Sequence, residues 1–232
     1  MLKNFLKCNK FFPKVNEQVI IILIYSSILI FLFLAWIFAD FGSMWIDSLY
    51  RQKPEILSFP ASVKNRSRFR KIFLTLAWTI CLIPCLNFSA DKLFCGLIFS
   101  YFLLLTVCTD FEQQVIFDKI LFVFGVFGFL SIALLGSPIF NHVLAAVVGG
   151  GFFLLLAILT HGGIGGGDIK LVFVLGLWCG TELLINILFL GFISSGLVAL
   201  VLFLARKKKR GEFIAYGPYF ALSAIYFVIF AR

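Results

Sequence analysis

The chain has 232 residues, of which 62% are hydrophobic and 13% are charged, and 31 of them are phenylalanine. Soluble domains carry about one-quarter charged residues, so a soluble fold would not bury this much apolar surface. The composition therefore predicts a membrane protein, whose length sets the number of membrane spans rather than the number of soluble domains.

The net charge of +9 is concentrated in short blocks between apolar runs. Seven cations lie between Arg51 and Lys71, and five form the run from Arg206 to Arg210. Blocks of this kind are typical of cytoplasmic loops. We therefore interpret the charge as a topology signal in a lipid bilayer and predict no binding to nucleic acid.

Eight apolar runs have about the length that a helix needs to cross the hydrocarbon core of a bilayer. In chain order they are Val19 to Ala39, Ile72 to Phe88, Leu93 to Thr109, Ile120 to Leu135, Val143 to Thr160, Ile169 to Cys179, Leu183 to Ala205 and Phe213 to Ala231. Only Gly180 to Glu182 separate the short sixth run from the seventh. We expect an all-α, polytopic integral membrane protein with about eight transmembrane helices.

These runs divide the chain into three segments. Residues 1–18 form an N-terminal tail, residues 19–92 contain the first two spans and the basic loop 51–71, and residues 93–232 form a membrane-embedded core. Alternation from the basic loops places the tail outside, although it carries four lysines. A cleaved secretory signal is the alternative interpretation, but Phe38 before Ala39 spoils the small-residue cleavage pattern.

Two carboxylates lie at the ends of spans, where ionisation is costly. Asp110 ends the third run and Asp168 opens the sixth, and alternation from the basic loops places both on the cytoplasmic side. Two close carboxylates tend to share one proton. Such a pair can activate a water molecule and protonate a leaving amine, which is the chemistry of peptide hydrolysis without a metal.

The glycine-rich run from Gly162 to Gly167 fits the same account, because glycine permits the close approach of an extended substrate. Other interpretations remain open. Asp110 is also compatible with a solvated loop residue or a helix cap, and Asp168 with a cap that follows a flexible linker. Lys170 either extends to the membrane interface or tunes the nearby carboxylate charge.

The cysteines indicate neither a disulfide framework nor a metal site, because none of the six forms a C-x-x-C pair and five lie inside apolar runs. They are Cys8, Cys81, Cys85, Cys95, Cys108 and Cys179.

Two segments of the core resemble the aspartate motifs of the type IV prepilin peptidases. Gly163 to Leu171 resembles their GxGD signature, which extends to the lysine and the leucine. Asp110 to Asp118 resembles their first catalytic motif, in which the Asp is followed six residues on by Ile-Pro and a polar residue. Here Ile116 and Asp118 match this pattern, and Phe117 replaces the proline.

Two further segments extend the resemblance over most of the chain. Tyr216 to Leu222 resembles the family's Phe-Gly-Pro-Phe segment. Gly42-Ser43-Met44, followed by Tyr50-Arg51, resembles its Gly-Ser-Phe-Leu and Tyr-Arg stretch. Four ordered matches are more specific than a lone GxGD.

The resemblance implies an aspartyl endopeptidase of the bacterial cytoplasmic (inner) membrane whose active site faces the cytoplasm. Asp110 and Asp168 would be its catalytic pair, and its substrates would be type IV pilin-like or pseudopilin precursors, from which it removes a short basic leader peptide. The residues expected to support the pair or bind substrate are Gly165, Gly166, Gly167, Lys170, Ile116 and Asp118.

The first basic loop departs from the family. Many members carry two cysteine pairs there and also methylate the new N-terminus with S-adenosylmethionine, whereas residues 51–71 contain no cysteine. We therefore expect no zinc and no other cofactor for cleavage, while methyl transfer stays open because the Gly42-Ser43 segment remains. One alternative function is that of a transporter or channel component. Another is that of a scaffold that binds precursors without cutting them, which the replacement of the motif proline by Phe117 favours.

Overall fold

The structure is a computed structural model that describes residues 17–60, 63–205 and 216–231. The predicted tail 1–18 therefore lies almost wholly outside the described residues, as does the basic run Arg206 to Arg210. Within the described ranges the chain forms seven α-helices, one 3₁₀ turn at Pro54–Ile56 and a π-helical turn at Tyr226–Phe230. The helices are α1 (Glu17–Gln52), α2 (Val63–Cys85), α3 (Ala90–Gln113), α4 (Asp118–Leu135), α5 (Ile139–Leu159), α6 (Gly166–Leu204) and α7 (Gly217–Ile225).

The all-α, polytopic class is confirmed, but the expected number of eight spans is not supported. In the part of the chain that the structure describes, five helical segments are long and apolar enough to cross a membrane, and they are Leu29–Gln52, Ala90–Gln113, Asp118–Leu135, Ile139–Leu159 and Gly166–Leu202. The count falls short because α2 begins with a polar stretch, the sixth and seventh runs join in α6, and the last run forms a short helix.

The junction of the sixth and seventh runs is a kink in α6 rather than a loop. Gly180 has φ 70° and ψ −178°, which interrupts the helical hydrogen bonds. His142 compensates for this break, since its Nδ1 lies 2.8 Å from the carbonyl oxygen of Leu177 and must donate to it. Asn141 accepts a hydrogen bond of 2.7 Å from the Thr181 hydroxyl beside the kink. The start of α5 thus holds the bend in α6.

Helix α3 is the central helix of the bundle. Buried residues make up 72% of its membrane-spanning window, against 22–33% for the other four spans. An aromatic cluster fixes α3 against α4 and α6, with ring centroids 5.7 Å apart for Phe102 and Phe124 and 5.3 Å apart for Phe124 and Trp178. The Trp178 indole N–H donates to the carbonyl oxygen of Phe124 at 2.9 Å, which satisfies its polar group inside the bundle.

Small residues let α5 and α6 approach closely, as is typical of membrane helices. A Cβ atom at Gly176 would lie 2.5 Å from the backbone of Ala146, so no larger side chain fits there. Large apolar side chains such as Phe122, Phe140 and Phe189 instead point outward and are 69–77% exposed. Lipid is the solvent that suits such a surface.

Candidate active site

Two carboxylates that are far apart in sequence meet at one end of the bundle. Asp110 lies in the last turn of α3 and Asp168 in the first turn of α6, and they are 5% and 8% exposed. A Cβ atom at Gly217, the first residue of α7, would lie 2.6 Å from Asp110 Oδ2 and 3.2 Å from Asp168 Oδ1. Three helix ends therefore converge on this pair.

The two carboxylates differ in their hydrogen bonds. Asp168 accepts from the backbone amides of Gly165 and Gly217, which lie at the N-terminal ends of α6 and α7. In contrast, Asp110 Oδ2 is buried and is the one such side-chain atom among the described residues that lacks a hydrogen-bond partner. Buried polar atoms are nearly always paired, so this oxygen indicates a functional site.

The backbone of the link that follows Asp110 can accommodate the proline of the family motif. Gln114 caps the C-terminal end of α3 in the left-handed region (φ 55°), and its amide donates to the Asp110 carbonyl at 2.9 Å. Phe117 then has φ −82°, close to the value of about −65° that a proline ring fixes. The Phe117 ring is buried and lies 5.7 Å from the ring of Tyr50. The replaced proline therefore leaves the backbone compatible with the motif.

Some of the predicted supporting residues adjoin the carboxylates. Ile116 packs against the two glycines that flank them. A Cβ atom at Gly217 would lie 2.9 Å from the Ile116 side chain, and one at Gly167 would lie 3.0 Å from it. Gly165 lies next to Asp168, with its potential Cβ position 3.4 Å from Oδ2. Gly166 is exposed, and a side chain there would meet nothing within 4 Å.

The other two predicted supporting residues pair with each other. Lys170 Nζ lies 2.7 Å from Asp118 Oδ1, and both side chains are more than half exposed. This ion pair joins the first turns of α4 and α6, while Asp168 is held by backbone amides.

A buried ionic network lies beside Asp110 and joins α1, α2 and α3. The fully buried Arg70 side chain donates to Glu112 Oε2 at 2.6 Å and to Ser43 Oγ at 3.1 Å, and it also pairs with Asp47. Tyr50 donates to the same Glu112 oxygen at 2.9 Å. One buried cation therefore faces two carboxylates, of which the Glu112 side chain is 10% exposed and the Asp47 side chain 30% exposed.

The network draws on several of the segments that carried the family resemblance. Ser43 comes from the Gly-Ser segment, Tyr50 from the Tyr-Arg stretch and Glu112 from the first aspartate motif. Next to it, the buried Gln113 side chain accepts from the Phe59 amide at 2.8 Å and donates to the Phe59 carbonyl at 3.1 Å. The basic loop is thereby fixed to the end of α3 that carries Asp110.

Sequence reasoning missed Gly217 and the network as parts of the site. The Tyr216 to Leu222 segment had been recognised as family-like, and its proline after a glycine is typical of a helix start. The signal for the network was Glu112, a second carboxylate within the first aspartate motif, and Arg70 at the edge of an apolar run.

The described residues include no group of three or more His, Cys, Asp or Glu side chains arranged to hold a metal ion. The absence of a metal or other cofactor stays a prediction, as do the catalytic roles and the domain boundaries. Fold and site together define the class of protein: a polytopic, all-helical membrane protein with a buried pair of carboxylates at one end of its helix bundle.

Comparison with known proteins finds similarity to one family. Residues 97–204, which include both aspartates, match the family model of the type IV leader peptidase family. The prepilin leader peptidase/N-methyltransferase of Bacillus subtilis (strain 168) is 31% identical over 137 residues, which cover 58% of this chain and 54% of that protein. The protein of the same name from Pseudomonas aeruginosa is 30% identical over 100 residues, 43% of this chain and 33% of that protein.

The resemblance to type IV prepilin peptidases is therefore confirmed, through the family-model match of residues 97–204 and the two curated relatives. The matches span about half and about a third of the two curated relatives. No solved structure shows a significant match to the chain.

Proposed function

We propose that this chain is an aspartic-type endopeptidase that removes the leader peptide from type IV prepilin or pseudopilin-like precursors. The single observation that carries the proposal is the meeting of Asp110 and Asp168 beside Gly217, because both aspartates lie in the segment that matches the leader peptidase family model. Its partners are then pilin-like or pseudopilin precursors and the lipid bilayer.

In the proposed mechanism the two carboxylates divide the work of an acid and a base. The hydrogen bonds of Asp168 to two backbone amides suit the carboxylate form, so we assign it to accept a proton from the attacking water. Asp110 has an unpaired oxygen, so we assign it to hold the proton, polarise the scissile carbonyl and later protonate the leaving amine. The attacking water and the scissile peptide bond must then both lie between α3, α6 and α7.

The glycine-rich link between α5 and α6 supports access of an extended peptide. Gly162 has φ 89°, a conformation that other residues rarely adopt, and no atom lies within 4 Å of its potential Cβ position. Gly166, two residues before Asp168, has the same open space beside it. A substrate backbone can therefore approach the link at these two glycines.

The position of the basic loop supports an active site that faces the cytoplasm of a bacterial inner membrane. Contacts of Phe59 with Gln113 and of Arg70 with Glu112 put this loop at the same end of the bundle as Asp110, and cation-rich loops favour the cytoplasm. A cysteine at exposed Ser58 should accept a thiol label from the cytoplasmic side. One at Ser137, at the opposite end of α4, should accept it from outside, and the reverse pattern would contradict this orientation.

Replacement of either aspartate tests the catalytic proposal. Asp110→Asn and Asp168→Asn should each abolish cleavage of a tagged precursor in membranes, because an amide fills neither the acid nor the base role. Asp91→Asn is a matched control, since Asp91 is exposed at the opposite end of α3. Substantial cleavage by either active-site variant, at normal protein levels, would refute the two-aspartate mechanism.

A further inference from the structure

The link between α3 and α4 lacks the restraint that a proline would supply. It runs from Gln114 to Phe117 outside regular helix, and Gln114 has a left-handed φ of 55°. A residue other than glycine is uncommon in this conformation and persists where its surroundings hold it. A proline at the last position would fix φ through its ring, whereas Phe117 leaves φ unrestrained. The restraint on this link therefore has to come from contacts with the bundle.

The position of this link affects both carboxylates. Asp110 precedes it in the last turn of α3, and its third residue, Ile116, packs against Gly217 and Gly167. The potential Cβ position of Gly217 is 2.9 Å from Ile116 and 2.6 Å from Asp110 Oδ2. The Gly217 amide also donates a hydrogen bond to Asp168. A displaced Ile116 would therefore move the start of α7, where the two carboxylates meet.

One side chain from α1 contacts both sides of this link. The Tyr50 ring lies 5.7 Å from the Phe117 ring, and both side chains are buried. The Tyr50 hydroxyl donates to Glu112 Oε2 at 2.9 Å, two residues after Asp110. Arg70 holds the same oxygen of Glu112 at 2.6 Å. Tyr50 thus ties the end of α3 to the residue that precedes α4.

We propose that Phe117 is a positioning residue whose ring takes the place of the motif proline: it packs against Tyr50 and so holds Ile116 against the glycines beside the carboxylates. The inference rests on the proposed function. It differs from an ordinary core role because a restraint on the backbone should replace the ring. Proline fits this position, since Phe117 has φ −82° and its amide donates no hydrogen bond within the described residues.

Two replacements of similar size test the proposal in proteoliposomes. Phe117→Val removes the ring and leaves φ unrestrained. Its kcat for a tagged precursor should fall about tenfold or more with KM nearly unchanged, because a misplacement of about 1 Å at reacting groups costs about a hundredfold in rate. Phe117→Pro also removes the ring but fixes φ, so its kcat should lie within about threefold of that of the unaltered protein.

Phe99→Val is the matched control for the loss of a buried ring. Phe99 is as deeply buried as Phe117, and its ring lies 5.7 Å from Phe124 and 5.3 Å from Trp178. It lies about 16 Å from Asp110 along α3. This variant should therefore lose stability in denaturant titrations, as Phe117→Val does, but keep its kcat.

The outcomes separate positioning from packing. If Phe117→Val and Phe117→Pro lose kcat equally, the missing ring volume explains the loss and the proposal is wrong. Equal kcat values for Phe117→Val and Phe99→Val would also overturn it. Phe117→Leu, which keeps more apolar volume, replaces Phe117→Val in both comparisons if the valine variant does not accumulate in the membrane. Failure of the unaltered protein to cleave the precursor would instead overturn the proposed function, and the positioning role with it.

Discussion

Replacement of Gly217 by alanine should inactivate the protein while leaving it folded. The added methyl group would lie 2.6 Å from Asp110 Oδ2, 2.9 Å from Ile116 Cδ1 and 3.2 Å from Asp168 Oδ1. The first two distances are too short for real contacts, so the carboxylates or the start of α7 must move apart. Gly217 is not among the described glycines with positive φ, so space alone opposes the methyl group.

The expected magnitude follows from the displacement. A misplacement of about 1 Å at reacting groups costs about a hundredfold in rate, whereas overpacking a core costs about 1–3 kcal/mol of stability. We therefore expect kcat/KM for a tagged precursor to fall by about a hundredfold in proteoliposomes. The free energy of unfolding, measured by denaturant titration in mixed micelles, should fall by about 1–3 kcal/mol.

Gly196→Ala provides the control for this experiment, because the same methyl group enters open space on α6. It should cleave at the rate of the unaltered protein. Retention of more than about a tenth of the activity by folded Gly217→Ala would contradict the reasoning, since a displacement of 1 Å should cost more. The carboxylates would then not meet at this glycine in the active protein.

Two further predictions concern the ionic network and metal ions. Arg70→Met should lower the free energy of unfolding by about 3–5 kcal/mol, because it leaves the buried Glu112 carboxylate without its cation and also removes the partner of Asp47, whereas Arg51→Met at an exposed position should change it by no more than about 0.5 kcal/mol. Equal effects of the two in denaturant titrations would show that the network adds little. EDTA should leave leader cleavage intact, because two carboxylates and water suffice for the proposed chemistry. Loss of cleavage that added zinc restores would refute this.

Local properties of the sequence were sufficient to predict the helical class and to select the two aspartates. Apolar runs of membrane-spanning length specify helices because only helices and closed barrels satisfy the backbone in lipid. The blocks of cations between these runs set an alternation that put Asp110 and Asp168 at the same end, and the structure brings them together. The glycines before Asp168 were equally visible.

Only the tertiary structure revealed that Gly217 closes the site, that Arg70 joins Glu112 and Asp47, and that Gly180 bends one helix instead of separating two. Each of these features depends on which surfaces of the helices pack against each other. In a soluble helix an apolar stripe marks the packed face, but here lipid-facing and bundle-facing residues are both apolar. The sequence by itself therefore determined where the helices and the carboxylates lie along the chain, while the close packing of distant helix ends decided what surrounds them.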